Sequence, residues 1–404
     1  MGKTPSIVVH GGRGRLRPLE IAVVVIAGLY PVAGVLAPRL KAVHALPLLA
    51  AGLTTVHLMV EGYRWQMVPI YSAVAVMAWV GWRLLRKPVP RLQIGRNEPS
   101  KIGLFALIPV VLVALPPALV PVPRLPEPSG PFEVGTVSLY LVDESRTEIY
   151  GPEPGGPREM MVQLWYPAHP DPAAVPGPWT DDLDQIGPAG AERLGFPSFV
   201  LDHLALARTH SYPDAPLSDA EERYPVIVYS HGWTGFRTVN VDQSEALASH
   251  GYVVVSIDHT YGSIVTVFPD GRAVGLDQDA LPEGEDVGEE AYQACATISL
   301  RPQRGVDPYD NDRLLVALYT HGGGGQYLAS ISGTEHWDFV VVPLLTPLAP
   351  LLGLKGPIKS ERVMAITDDL LVSFFGSHLR GGIVTDVAGL RLRYPEVTLE
   401  TRPG

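Results

Sequence analysis

A single cysteine, Cys295, stands among 404 residues, so no disulfide can form within the chain and the redox compartment is left open. Charge is sparse as well. Asp, Glu, Lys and Arg make up 18% of the sequence, below the roughly 25% of an ordinary soluble domain. The charge that is present sums to a formal −11, which excludes the basic footprint of a nucleic-acid partner. Metal-ligand spacing is missing too. His210, His259, His321 and His336 stand apart from one another and from carboxylates at helical offsets, and no metal site or other cofactor is expected.

The apolar excess, 46% of the chain, is concentrated at the front. Four stretches, Leu19–Ala37, Ala42–Val60, Met67–Leu85 and Ile102–Val122, each approach the ~20 residues that cross a bilayer core. Their charges sit at the ends and not along one face, which favours spans over buried core helices. Glu20, His44 and His57 are the only titratable interruptions, too few for a transport pathway, so an anchor is expected. Basic residues number eight on one side of these spans against six on the other, which leans toward both termini outside. The expected organisation is a membrane domain over 1–122, a stiff proline-rich linker over 123–133 and a catalytic domain over 134–404.

Beyond the linker, Val134–Val142 and Glu159–Tyr166 read as a hairpin of strands across a Gly/Pro-rich turn. A helix is expected near Ala191–Ala207. The apolar run Tyr224–Ser230 then feeds into His231-Gly232-Trp233-Thr234-Gly235, and Gly251–His259 follows after one helix-length segment, Asn240–His250. Strand, helix, strand of this length implies a parallel crossover, with the glycine turn, Asp258, His259 and Tyr261 neighbours at the carboxyl ends of the strands. A glycine turn there leaves backbone N–H groups aimed at one spot, which suits a developing oxyanion. Gln326–Ile331 is a late strand leading into a polar loop that carries His336, and Glu361–Leu379 is a closing helix with one apolar face. No G-x-S-x-G, the strained turn that presents a nucleophilic serine, occurs anywhere in the chain.

The run Tyr224–Gly271 (YPVIVYSHGWTGFRTVNVDQSEALASHGYVVVSIDHTYGSIVTVFPDG), together with Gly333–Phe339, Pro343–Ile358 and Glu61–Tyr71, resembles the platelet-activating factor acetylhydrolase family, in particular its bacterial membrane-anchored members. The resemblance implies an α/β fold, here an incomplete α/β-hydrolase sheet preceded by a four-helix transmembrane region. It implies a serine esterase acting without a metal on acyl esters of phospholipids, with the bilayer as its second partner. Matched to the family pattern, the Trp233 N–H is an oxyanion donor, His336 is the general base, and Gly232 and Phe236 border the substrate. The family's serine turn and its acid have no counterpart, which points to a deletion near Ala294–Gly305. Two alternatives stay open: a catalytically inert membrane protein, and a hydrolase of other small esters or polyesters.

Ser230, Ser263 and Ser332 are the hydroxyls nearest this site by topology, each readable as an ordinary turn residue. Removing the serine strand also leaves its neighbours' backbone groups unpaired, and Thr297–Arg301 is the one nearby segment expected to fill the slot. His321–Gly325 imitates a lipase oxyanion motif, Asp307, Asp310 and Asp312 could offer an acid to His336, and Asp338 reads as a structural residue of the histidine loop.

Overall fold

The computed structural model describes residues 17–37, 40–86, 111–112, 114–152, 154–280, 297–302, 319–320, 325–381 and 387–402. The chain forms two compact units: one of residues 13–123 with 345–347, the other of 124–344 with 348–404.

The first unit is helical. Helices α1 (Pro18–Leu36), α2 (Lys41–Val60) and α3 (Val68–Arg86) follow the apolar stretches closely. They bury Val23, Ala27, Ala50, Met67, Ile70 and Val74 against one another, while Leu29, Leu49, Met59, Val76 and Trp79 stay exposed. Two of the helical segments, Lys41–Val60 and Trp65–Arg86, are long and apolar enough to cross a membrane; Pro18–Gly34 is shorter. The expectation of four spans is therefore reduced to two candidates among the described residues, because Pro18–Gly34 is shorter and residues 102–110 and 113 lie outside them.

The second unit is mixed α/β. Strands β1 (Glu133–Thr147) and β2 (Pro157–Ala168) form the expected antiparallel hairpin, longer at both ends than the sequence pattern indicates. β3 (Ser211–Pro213) adds to the far side of β1. β4 (Val226–Ser230), helix α5 (Val241–Ser249) and β5 (Val253–Ile257) make the expected parallel pair, with Ser230 opposite Ile257. The sheet order is β3-β1-β2-β5-β4. Its centre is dry: Val162, Trp165 and Val254 are almost fully buried, and each such side chain contributes about 1.5–3 kcal/mol by leaving water.

The helix expected over Ala191–Ala207 is two pieces. Helix α4 (Leu183–Arg193) stops where Gly195 takes φ 74° and Pro197 follows, and Ser198–Leu206 continues as 3₁₀ turns. A short antiparallel pair, β6 (Val265–Val267) and β7 (Ala273–Gly275), follows β5.

A separate three-stranded sheet has the order β10-β9-β8, from β8 (Thr297–Pro302), β9 (Gln326–Ile331) and β10 (Val397–Arg402). It packs on helix α6 (Ser360–Leu379) and helix α7 (Val387–Arg393) through Ala329, Ile331, Ile366, Leu370, Leu390, Tyr394 and Leu399. Thr297–Arg301 is thus a strand, but it does not fill the expected slot. It pairs in parallel with β9, and β4 pairs with no described strand on its other side. Val226 and Val228 of β4 are consequently 58% and 65% exposed, unusual for valines of a parallel strand. Of the deletion point inferred near Ala294–Gly305, residues 297–302 are described as β8 and the rest lie outside the described residues.

Candidate active site

The turn after β4 is held in a strained shape. Thr234 takes φ 62°, a left-handed conformation rare for a β-branched residue, while its N–H donates to Gly262 O at 3.3 Å and Gly235 N–H donates to Gly232 O at 2.9 Å. The Trp233 N–H donates to no described residue, and Gly232 is exposed with open space where a side chain would stand. One free amide beside an open flank is the geometry expected of an oxyanion donor.

The next residues lock the turn to the end of β5. Arg237 N–H donates to Asp258 Oδ1 at 2.6 Å, and its guanidinium donates to Asp258 and to Asp182 on either side. Both side chains of the Arg237–Asp258 pair are almost completely buried. Asp258 is therefore occupied as a brace and is not free to orient a histidine.

Two histidines lie between these braces. His259 Nε2 is 2.7 Å from Ser230 Oγ; His231 Nε2 is 2.9 Å from Ser263 Oγ, and its Nδ1 donates to Gly232 O at 2.8 Å. The rings meet edge to face with centroids 4.9 Å apart. Burial pushes both imidazoles below the ordinary histidine range, and for His259 the neighbouring His231 and Arg158 push the same way. Both rings are consequently neutral at neutral pH. Ser230, Ser263 and His259 were each visible in the sequence as loop or strand-end residues, but their pairing across β4 and β5 carries no signature in spacing.

His336 opens a 3₁₀ turn, His336–Phe339, after β9. It is exposed, meets Trp337 edge on at 5.6 Å, and hydrogen-bonds to no described side chain. The turn docks on helix α5, where Asn240 Nδ2 and Gln243 Nε2 both donate to Phe339 O, at 3.1 and 2.9 Å. The histidine turn and the glycine turn thus flank the N-terminal end of one helix, while the hydroxyls of Ser230 and Ser263 pair with His259 and His231 and not with His336. Asp338 is structural, as its position suggests: Oδ2 accepts from Glu335 N–H and Gly356 N–H, each at 2.8 Å. A Cβ at Gly356 would fall 2.0 Å from Gly333 O and 3.1 Å from Asp338 Oδ2. Gly356→Ala is expected to cost about 1–3 kcal/mol by overpacking, read as a fall in thermal midpoint, and to displace the histidine turn.

Phe236 is half-buried against Trp179, ring centroids 5.8 Å apart, and the Trp179 indole N–H donates to Thr238 O. Trp179, Thr136, Gln163 and Thr238 line a polar cavity of about 160 Å³ that does not reach Trp233 or His336. Asp307, Asp310, Asp312 and His321–Gly324 lie outside the described residues.

One group of possible metal ligands occurs among the described residues, and it lies in the helical unit: Glu20, His57 and Glu61 bring one ligand atom each within 4.8 Å of one another. Their lone pairs are already engaged. Glu20 accepts from Arg64 and Arg17, and His57 bridges Glu61 and the Tyr71 hydroxyl. Two guanidiniums at the centre oppose a cation, so the cluster is an ion-pair network.

The second unit is thus a mixed α/β fold with a strained glycine turn at the carboxyl end of a parallel strand. The solved ferulic acid esterase from Streptomyces cinnamoneus shares that fold, with a TM-score of 0.54 and 22% identity over 69% of this chain and 99% of its own. Residues 120–284 match the family platelet-activating factor acetylhydrolase, isoform II. A probable 1-alkyl-2-acetylglycerophosphocholine esterase of Arthroderma benhamiae is 28% identical over 163 residues, 37% of this chain and 40% of that one. The platelet-activating factor acetylhydrolase of Cavia porcellus is 26% identical over 143 residues, 33% of this chain and 28% of its own. The chain therefore spans well under half the length of these curated relatives.

Proposed function

We propose that this chain is a carboxylic ester hydrolase acting on acyl esters of lipids, in the manner of a 1-alkyl-2-acetylglycerophosphocholine esterase. One observation carries the reading: the unpaired Trp233 N–H in a strained turn beside the open flank of Gly232, at the carboxyl ends of two parallel strands. In ester hydrolysis the carbonyl oxygen gains negative charge as a hydroxyl adds, and a fixed amide donor stabilises that charge without reorganising. Gly232 and Phe236 border the carbonyl in this reading, and His336 is the base that the family pattern supplies. The helical unit anchors the enzyme, with Lys41–Val60 and Trp65–Arg86 crossing the bilayer.

The test is turnover of short-chain nitrophenyl esters by the full chain in detergent. Trp233→Pro deletes the one N–H in question and is expected to lower kcat/KM by about 10²–10³-fold, with circular dichroism confirming that the sheet is retained. Absence of turnover by the unaltered chain overturns the proposal. The inert alternative draws support from the exposed outer side of β4, where no described strand pairs. It predicts no reaction with a fluorophosphonate under any condition.

A further inference from the structure

We infer that Ser230 is the nucleophile of this site and His259 its general base, a two-residue unit on adjacent parallel strands. The inference rests on the ester-hydrolase reading above, adds the group that attacks, and moves the role of base from His336 to His259, which pairs with that group. Four observations support it.

The first is reach. His259 Nε2 lies 2.7 Å from Ser230 Oγ, inside the range in which a base can take a hydroxyl proton. Of the other histidine–hydroxyl pairs, Ser263 with His231, Ser218 with His169 and Ser249 with His250 hold the hydroxyl in the interior, and in the His57–Tyr71 pair the histidine is fully buried. The second is availability. Ser230 is the last residue of β4, which pairs with no described strand on its other side, and is exposed. The third is proximity in sequence to the oxyanion donor, since Ser230 closes β4 directly before the turn and only His231 and Gly232 separate it from the free Trp233 N–H. The fourth is an apolar approach. Residues two apart on a strand point the same way, so the exposed Val226 and Val228 share a side with Ser230 and give a short acyl chain an apolar floor that ends at the hydroxyl.

The chemistry balances. Ser230 Oγ bonds to the carbonyl carbon, its proton passes to His259 Nε2, and the carbonyl electron pair becomes the oxyanion facing the Trp233 N–H. Collapse breaks the ester C–O bond, and the departing alcohol takes the proton back from His259. Water, deprotonated by the same nitrogen, then releases the carboxylic acid and restores the serine. His231, held by Ser263 and Gly232, walls the His259 ring in place edge to face. Neither the braced Asp258 nor any other described carboxylate hydrogen-bonds to His259, so the unit is a dyad.

The experiment is covalent labelling of the full chain in detergent with a fluorophosphonate, followed by peptide mapping, alongside nitrophenyl acetate turnover. The adduct is expected on Ser230. Ser230→Ala and His259→Gln are expected to abolish that adduct and to lower kcat/KM by at least about 100-fold, with an unchanged circular dichroism spectrum. Ser230→Cys should restore acylation as a burst, which a hydroxyl that merely props the turn would not do. An adduct on a different residue, with turnover surviving in Ser230→Ala, overturns this assignment and leaves the hydrolase reading standing. No adduct and no turnover in the unaltered chain overturns both.

Discussion

Replacing Arg64 with alanine is expected to cost the helical unit about 3–5 kcal/mol, because it strands a buried carboxylate. Arg64 and Glu20 are both fully buried, and Arg64 donates to both carboxylate oxygens, from Nε at 2.6 Å and from Nη2 at 2.9 Å. The same guanidinium donates to Val120 O at 2.9 Å and Pro117 O at 3.2 Å, so it also closes two carbonyls that no helix satisfies. Arg17 reaches Glu20 from the other side at 2.9 Å, while Glu61 accepts from His57 and from Leu19 N–H. The network ties the start of α1, the end of α2 and the start of α3 at one end of the unit. Arg64→Ala removes four hydrogen bonds and leaves Glu20 with one cation; Arg64→Lys keeps a charge but loses the two-pronged geometry. Thermal unfolding in detergent should rank native above Lys above Ala. The double variant Glu20→Gln/Arg64→Ala should recover part of the loss, since no uncompensated charge remains. Equal midpoints for the native chain and Arg64→Ala would remove the network from any account of stability.

None of this was legible in the sequence. Glu20, His57 and Arg64 read there as isolated interruptions or loop charges, since hydropathy locates helices and their ends but not which ends meet. Only the antiparallel arrangement of α1 and α2 brings residues 44 apart into an ion pair.

The mixed α/β unit was legible wherever a local period carries the information. The hairpin, the parallel β4–α5–β5 crossover, β9 and α6 follow from alternation, glycine punctuation and helical spacing, and their bounds agree to within a few residues except at the longer hairpin ends. The glycine turn was legible because backbone shape is written in glycines. Pairing between strands is not written locally. Thr297–Arg301 was rightly seen as a strand, yet its partner proved to be β9, because a parallel edge accepts whichever neighbour the remaining chain can bring to it. For the same reason the sequence drew attention to His336, which stands in a recognisable loop. The short contact of His259 with Ser230 depends on the register that sets Ser230 opposite Ile257, two residues before the histidine.

The buried face of α5 supports a second large effect, of opposite sign. Asp242 is fully buried between α5 and α6, its Oδ1 has no hydrogen-bond partner, and its neighbours are themselves acidic: Glu245 on the same helix and Asp368 on α6. Burial, with Glu245 adding to it, pushes the Asp242 carboxyl up to about 7; Asp368 is raised by burial first and by Asp242 second. A carboxyl whose folded value lies above its unfolded value contributes most where both states hold the proton, below about pH 4. That contribution is lost progressively as pH rises to about 7, because only the unfolded chain releases the proton freely. The native chain is therefore expected to lose on the order of 2–4 kcal/mol of stability from this group between about pH 4 and pH 7. Asp242→Asn keeps an acceptor for the backbone N–H groups that now face the carboxylate and removes the ionisation. It should leave the thermal midpoint near pH 4 almost unchanged and raise it at pH 8 by the amount the native chain has lost. Midpoints that run parallel for the two proteins from pH 4 to pH 8 would show that Asp242 is solvated or paired, and the acidic contact between α5 and α6 would then have no part in the pH dependence.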